Sequence, residues 1–350
     1  MAYTTIDNPT DYFNTVLYTG NGSTQNITGL DFQPDWIWYK NRGATNHNRL
    51  IDSVRGSNKN LASDLTNAEN TDSTYVTSFN SDGWSIGSNT DVNASSASMV
   101  AWTWLAGGSA SSNTDGTITS TVSANTTAGF SIVSYTGNGS AGATVGHGLG
   151  SAPAVMLFKI RNTADNWRVY HQGIDTTAPE DYHVQLNSTG ARIDNAGFFN
   201  DTAPTSSVFT LGSDSGINGS SNTFITYCFA EKKGFSKFGS YTGNGSADGT
   251  FVYLGFKPAW VMVKKSSGVN AWLIHDVKRS TLNPMDNQLF ANTTGAEDTT
   301  STNDNFDFLS NGFKARNTGD AYNGSGGTYI YMAFAESPFV TSTGIPTTAR

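Results

Sequence analysis

Apolar residues in this chain fall into short runs separated by stretches of Gly, Asn, Asp, Ser and Thr. Runs of this kind, rich in Val, Ile, Tyr, Phe and Trp, predict β-strands, and the Asn-Gly, Asp-Gly and Gly-Ser steps between them predict tight turns. Three runs alternate in period two: Val100-Ala-Trp-Thr-Trp104, Phe224-Ile-Thr-Tyr-Cys-Phe229 and Tyr329-Ile-Tyr-Met-Ala-Phe334. Trp102 and Trp104, Tyr227 and Phe229, and Met332 and Phe334 therefore share one face of their strands. Ala101 and Thr103, Thr226 and Cys228, and Tyr331 and Ala333 occupy the other. This pattern predicts large residues inside a sandwich and small ones facing out or toward a neighbour. Trp36-Ile-Trp-Tyr39 is apolar on both faces, which predicts a strand covered twice, by packing between repeats or between chains. No long helical period is present, and Asn58–Asn70 has room for one short helix at most.

The strand runs belong to a repeat. Tyr18-Thr-Gly-Asn-Gly-Ser23 recurs as Tyr135–Ser140 and Tyr241–Ser246, each time after a run opening with Phe (Phe13, Phe130, Phe235). Pro34-Asp-Trp-Ile-Trp-Tyr-Lys40 lines up with Pro153–Lys159 and Pro258–Lys264, and Val92-Asn-Ala-Ser95 with Ile217-Asn-Gly-Ser220 and Tyr322-Asn-Gly-Ser325. Self-similarity at this spacing defines an architecture of stacked units. The fold class expected is all-β: three tandem homologous antiparallel β-sandwich domains of jelly-roll, concanavalin-like type. The segments are an N-terminal arm (1–11), repeat one (12–105), a Gly/Ser/Thr-rich linker (106–129), repeat two (130–233), repeat three (234–339) and a C-terminal tail (340–350). The composition of 106–129 predicts a flexible or extended connection, although Ile118 and Val122 would support an extra strand. Repeats two and three, joined directly, are expected to move as a block.

Composition narrows the function classes. Charged residues are 14% of the chain, against about 25% in an average globular protein, while aromatic residues reach 12%. A net charge of −8 and the absence of a basic stripe argue against nucleic-acid binding. A lone cysteine, Cys228, excludes an intrachain disulfide framework and a multi-cysteine zinc site. No apolar stretch approaches the length of a membrane helix, and no signal peptide is visible at the N-terminus, so synthesis in a cytoplasm and no membrane partner are expected.

Candidate chemistry is sparse. The histidines (His47, His147, His171, His183, His275) are scattered, with His171 and His275 near equivalent places and Asp52 corresponding in repeat one. No nucleophile elbow accompanies them, and no paired-carboxylate cleft is apparent. Acidic residues such as Asp82, Asp115 and Asp248 adjoin glycines and read as turn formers. Asn303-Asp-Asn-Phe-Asp307 is oxygen-rich but lacks the order of a calcium loop. No catalytic residue, cofactor or metal ligand is assigned. Trp84, Trp167, Trp272 and Tyr322 are candidates for stacking on a sugar. Pro9, Tyr12 and Phe13 are candidates for inserting into a partner protein.

Ile6–Ser23, Gly129–Gly137, Gly146-His-Gly-Leu-Gly150, Phe229–Ser240 and Phe334-Ala-Glu-Ser-Pro-Phe339 together resemble repeated proteins of marine bacteriophages, over essentially the whole chain. That resemblance implies a virion component with a lectin-like jelly-roll fold, and it brings no catalytic residues. The expected function is a phage structural protein, a fibre, spike or capsid-decorating appendage located in the virion. Its expected partners are copies of itself, with a trimer favoured, other capsid or tail proteins, and a host-surface glycan. The alternatives are a polysaccharide depolymerase and a free lectin.

Overall fold

The structure is a computed structural model that describes residues 2–300 and 305–347. Almost all regular structure is antiparallel β-sheet. The α-helices are single turns, Thr90–Asn93, Ala196–Phe199 and Ser215–Asn218. Asn89, Asn195 and Asp214 cap these turns through side-chain oxygens. Asn58–Asn70 contains no helix; the strand Lys59–Ala62 lies there instead.

Each repeat builds one large and one small sheet in the same order. In repeat one the opening strand Phe13–Thr19 pairs with the closing strand Ser98–Trp104, which pairs with Trp36–Asn41, which pairs with Arg49–Asp52. Repeats two and three reproduce this with Phe130–Thr136, Thr223–Phe229, Val155–Ile160 and Arg168–His171, and with Ser236–Thr242, Thr328–Pro338, Phe256–Lys265 and Trp272–Asp276. The small sheets join Gln25–Thr28 to Gly83–Ile86, Ala143–Gly146 to Val208–Leu211, and Phe251–Tyr253 to Gly312–Ala315.

The recurring hexamer has a structural explanation. The tyrosine hydroxyls of Tyr18, Tyr135 and Tyr241 donate to the carbonyls of Val92, Ile217 and Tyr322. The next residues, Asn93, Asn218 and Asn323, are wholly buried. Each accepts from the backbone N–H of the turn asparagine (Asn21, Asn138, Asn244) and donates to the carbonyl of the turn serine (Ser23, Ser140, Ser246). Gly20 has no room for a side chain, since a Cβ there would sit 2.1 Å from the Ala94 carbonyl oxygen. The Asn-Gly-Ser steps of the hexamer are thus turns tied to a buried amide.

The faces of the large sheets point opposite to expectation. Each small sheet covers the face carrying the smaller residues of the closing strand: Ala101 beneath Trp84 and Ile86, Cys228 beneath Phe209 and Leu211, and Ala333 beneath Val252 and Phe313. The large residues Trp102 and Trp104, Tyr227 and Phe229, and Met332 and Phe334 meet in one central core shared by all three repeats. The double coverage expected for Trp36–Tyr39 is real: Trp36 and Trp38 face the centre while Ile37 and Tyr39 face the small sheet. Trp36 stacks on Tyr227 of repeat two at 4.4 Å, and Trp104 meets Trp260 of repeat three at 6.0 Å.

No flexible tether separates repeats one and two. Ser111–Asn113 and Ser120–Asn125 form strands that extend the large sheet of repeat two beyond its opening strand. Val122 on the second of these strands and Ile118 just before it both bury their side chains in the core of repeat two. With one core common to all repeats, two and three are not a block apart from one. The terminal arm and tail also pack back. Ile6 joins the central core, Ser342 donates to Asp7, and Val340 bridges to Pro346.

Candidate functional site

The four aromatic residues proposed for sugar stacking are all buried, so none offers a ring face to a ligand. Trp84 fills the sandwich core of repeat one. Tyr322 sits in that of repeat three, where its hydroxyl donates to Gln288. Trp167 and Trp272 are staples between repeats: their indole N–H groups donate to the carbonyls of Ala62 and Gln185, each in the preceding repeat. Repeat one places Asn48 at this position, and its amide reaches Phe290 and Thr293 of repeat three. The proposed anchoring residues also face inward. Phe13 stacks on Phe334 at 4.9 Å, Tyr12 packs edge-on against Phe235, and Pro9 is buried.

A second ring of bonds runs the same way round. Lys40, Lys159 and Lys264 end the proline-led strands with buried ammonium groups. They donate to the carbonyls of Thr294, Thr66 and Thr189, respectively, in the neighbouring repeat. Burial lowers the pKa of all three to about 8, because the charged form loses hydration that carbonyl dipoles only partly replace.

The ionic groups follow the same geometry at two junctions. Between repeats one and two, Asp52 holds Arg55 at 2.5 Å, Arg55 reaches Glu69, and Glu69 pairs with Arg161 at 2.9 Å. The Tyr227 hydroxyl donates to Asp52. Between repeats three and one, Asp276, Arg279, Glu297 and Arg42 form the same chain, with the Trp102 indole donating to Asp276. At the junction of repeats two and three, the matching residues are His171, Ile174, Arg192 and Ser266. The register of Val155 with His171, against Trp36 with Asp52 and Trp260 with Asp276, establishes the equivalence. His171 therefore corresponds to Asp276, and His275 to Ile51 and Tyr170; the pairing of the two histidines read from the sequence is one residue out of step.

The histidines and the lone cysteine are held by burial or by pairing. Burial pulls His171 down to about 4 and both His183 and His275 to about 3, so each is neutral at pH 7. Cys228 is buried, and its thiol is pushed well up by desolvation, which removes the reactive thiolate. His47 pairs with Asp64 at 2.6 Å beside a hollow of about 250 Å³. The hollow is lined by Arg49, Asn60, Asn67 and Asn70, with no hydroxyl or thiol nucleophile among its lining residues. No group of three or more metal-ligating side chains occurs among the described residues; Asn303 and Asp304 of the oxygen-rich segment lie outside them. No described helix is long and apolar enough to cross a membrane.

The larger open hollows gather on repeat three. One groove, with parts of about 410 and 610 Å³, runs past the Lys257–Glu336 ion pair, Asn283 and Phe308. A separate pocket of about 530 Å³ lies between Tyr3 and Tyr253, with Lys233, Lys237 and Glu231 on its walls. Tyr3 comes from the N-terminal arm and donates to the Gly255 carbonyl at 2.6 Å. Its phenol is raised to about 12 by burial and by the neighbouring Tyr253, so it is neutral at pH 7.

Fold and site together define an all-β protein whose interior polar groups bond one repeat to the next. The chain belongs to the family of DUF7483, a domain of unknown function, whose model matches residues 8–338. One family model thus spans all three repeats, as one core does. No curated protein matches the chain.

Proposed function

We propose that this chain is a non-catalytic structural protein of a bacteriophage particle, a fibre, spike or capsid-decorating component built from three jelly-roll-like repeats, which presents a binding surface on repeat three. The observation that carries the reading is the shared aromatic core closed by a ring of inter-repeat bonds. Such a ring ties the repeats together and engages the buried lysines, the ionic chains and the indoles of Trp102, Trp167 and Trp272. The sparse, neutral-polar surface and the resemblance of the repeat motifs to phage virion proteins support the same conclusion.

The trimer favoured by the sequence is replaced in this proposal by a single chain with internal threefold repetition, since the large apolar faces are already covered by one another. Mass spectrometry of purified particles of the phage encoding this sequence tests the assignment. The chain is expected at fixed copy number in the particle, and its absence from particles but presence in lysate overturns it. Light scattering of the purified chain is expected to give one copy of 37.3 kDa; a stable trimer would remove the internal-ring argument.

A further inference from the structure

The three small sheets are built alike, and their register allows residue-by-residue comparison. Val252 faces Phe313 across the sheet as Ile27 faces Trp84 and Val145 faces Phe209. The flanking residues on the outward face are Asn26 and Thr28 in repeat one and Thr144 and Gly146 in repeat two. In repeat three they are Phe251 and Tyr253, 43% and 52% exposed. Large apolar side chains have replaced polar or small ones on a solvent face in one repeat only, where packing does not need them. Adjacent outward positions on a strand are about 7 Å apart, so the rings form a short ladder.

Cations surround this ladder. Lys233 lies 4.5 Å over the ring of Tyr3, and Lys237 lies 5.4 Å from the ring of Tyr253. The pocket wall holds one carboxylate, Glu231, whose Oε1 accepts from the backbone N–H of Phe238 and the side chain of Gln172, against the two lysines. The site is locally positive in a chain of net charge −8. The strand's backbone is partly closed to an added peptide strand, since Lys237 donates to the Tyr253 carbonyl and Tyr3 to that of Gly255.

We propose that the pocket between Tyr3 and Tyr253, extended by Phe251, binds an acidic glycan. The rings take the apolar faces of successive sugars, and Lys233 and Lys237 take a carboxylate or sulfate. Aromatic side chains with a polar tip suit a ligand that is apolar on one face and hydroxylated at its rim, and lysine serves as a point charge for an anion. The inference deepens the binding role proposed above and rests on it for its biological setting, while the binding itself is measurable on the purified chain.

The test is calorimetry of the full chain with hexasaccharides of a polyuronate and of a sulfated galactan, with a neutral β-glucan hexasaccharide as control. Binding of one or both acidic oligomers is expected to exceed the neutral control at least tenfold and to weaken as salt rises. Tyr253→Ala and the double change Lys233→Met, Lys237→Met are each expected to lose about tenfold or more. Asn26→Ala with Thr28→Ala, at the matching place in repeat one, should bind as the unaltered chain does. Absence of acidic binding, equal binding of the neutral oligomer, or indifference to the repeat-three variants overturns the proposal. Failure here with the chain present in particles removes the glycan site alone. Binding here with the chain absent from particles removes the virion assignment alone.

Discussion

The junctions between repeats solve one packing problem in two ways. At the one–two and three–one junctions, a buried carboxylate, two arginines and a glutamate form a chain that crosses from one repeat to the next. At the two–three junction, the corresponding places hold His171, Ile174, Arg192 and Ser266. There His171 donates to the Tyr331 carbonyl and accepts from the Gly173 N–H, and Arg192 pairs with Asp175. The backbone frame does not change: Glu69, Glu297 and Arg192 donate their N–H groups to Arg161, Arg42 and Ser266. The shared indole, amide and ammonium bonds therefore hold the ring together, and the ionic chains are an optional filling that must come or go as a set.

The largest expected effect comes from breaking such a set. Arg55→Met leaves Asp52 buried with only hydrogen-bond donors around it, and it should lower unfolding stability by about 3–5 kcal/mol, the usual loss for one partner of a buried pair. Equilibrium denaturation measures it, and Arg279→Met is expected to behave alike. Transplanting the two–three set, with Asp52→His, Arg55→Ile, Glu69→Arg, Arg161→Ser and Tyr227→Met together, should cost less than Arg55→Met alone. A fivefold variant less stable than the single one would show that the two solutions are not interchangeable.

Acid distinguishes the junctions next. His171 has a pKa of about 4 in the folded chain, below its unfolded value of about 6.5. Between those values the unfolded chain binds the extra proton, so stability is fully present above pH 6.5 and falls as pH drops toward 4. One such group accounts for about 1.4 kcal/mol per pH unit in that window. His183 and His275 add in the same direction. His171→Gln is expected to flatten the dependence of melting temperature on pH between 6 and 4, and an unchanged slope would place the acid sensitivity elsewhere. Hydrogen exchange at pH 5 should open the two–three junction first, while the arginine-filled junctions stay protected.

A smaller effect separates the bonds common to all junctions. Trp167→Phe keeps most of the ring volume but leaves the Ala62 carbonyl without its indole donor. A loss of about 0.5–1.5 kcal/mol is expected for one hydrogen bond removed, since the Ala62 carbonyl keeps the Leu65 N–H as the Gln185 carbonyl keeps that of Ser188. Trp272→Phe should match it, because its donation to Gln185 occupies the same place in the ring. A loss confined to one of the two would mean that the ring is not uniform.

Much of this architecture was legible in the sequence, and the missing part has a physical reason. The repeated hexamer, proline-led strand and buried asparagine located every large sheet because each has a local job in the turn or the strand. Period two placed Trp102 with Trp104 and Tyr227 with Phe229, but alternation cannot say which way a face points when both faces are covered. That is why the large residues lie at the center of the molecule instead of inside each sandwich. Composition read 106–129 as a tether, and strand pairing to an existing edge outweighed it. Trp167 and Trp272 looked free because their carbonyl partners lie in another repeat. Phe251-Val-Tyr253 went unremarked as an ordinary alternating strand, although comparison with Asn26 and Thr28 was the signal.

The smallest expected effect isolates burial from distance. Lys265 and Asp320 meet at 2.6 Å, the same separation as Arg279 and Asp276. The arginine pair is wholly buried, whereas Asp320 is 64% exposed. Asp320 keeps most of its hydration although the Lys265 side chain is only 15% exposed, and holding two side chains together costs entropy that offsets the attraction. Lys265→Met should therefore change stability by no more than about 0.5 kcal/mol at low salt, and by less still in 1 M salt, where exposed charges are screened. The paired denaturation curves of Lys265→Met and Arg279→Met, taken at both salt concentrations, are the measurement. If the two variants lose equal stability, the contrast between junctions cannot rest on burial, and contact distance alone would have to explain the ionic chains.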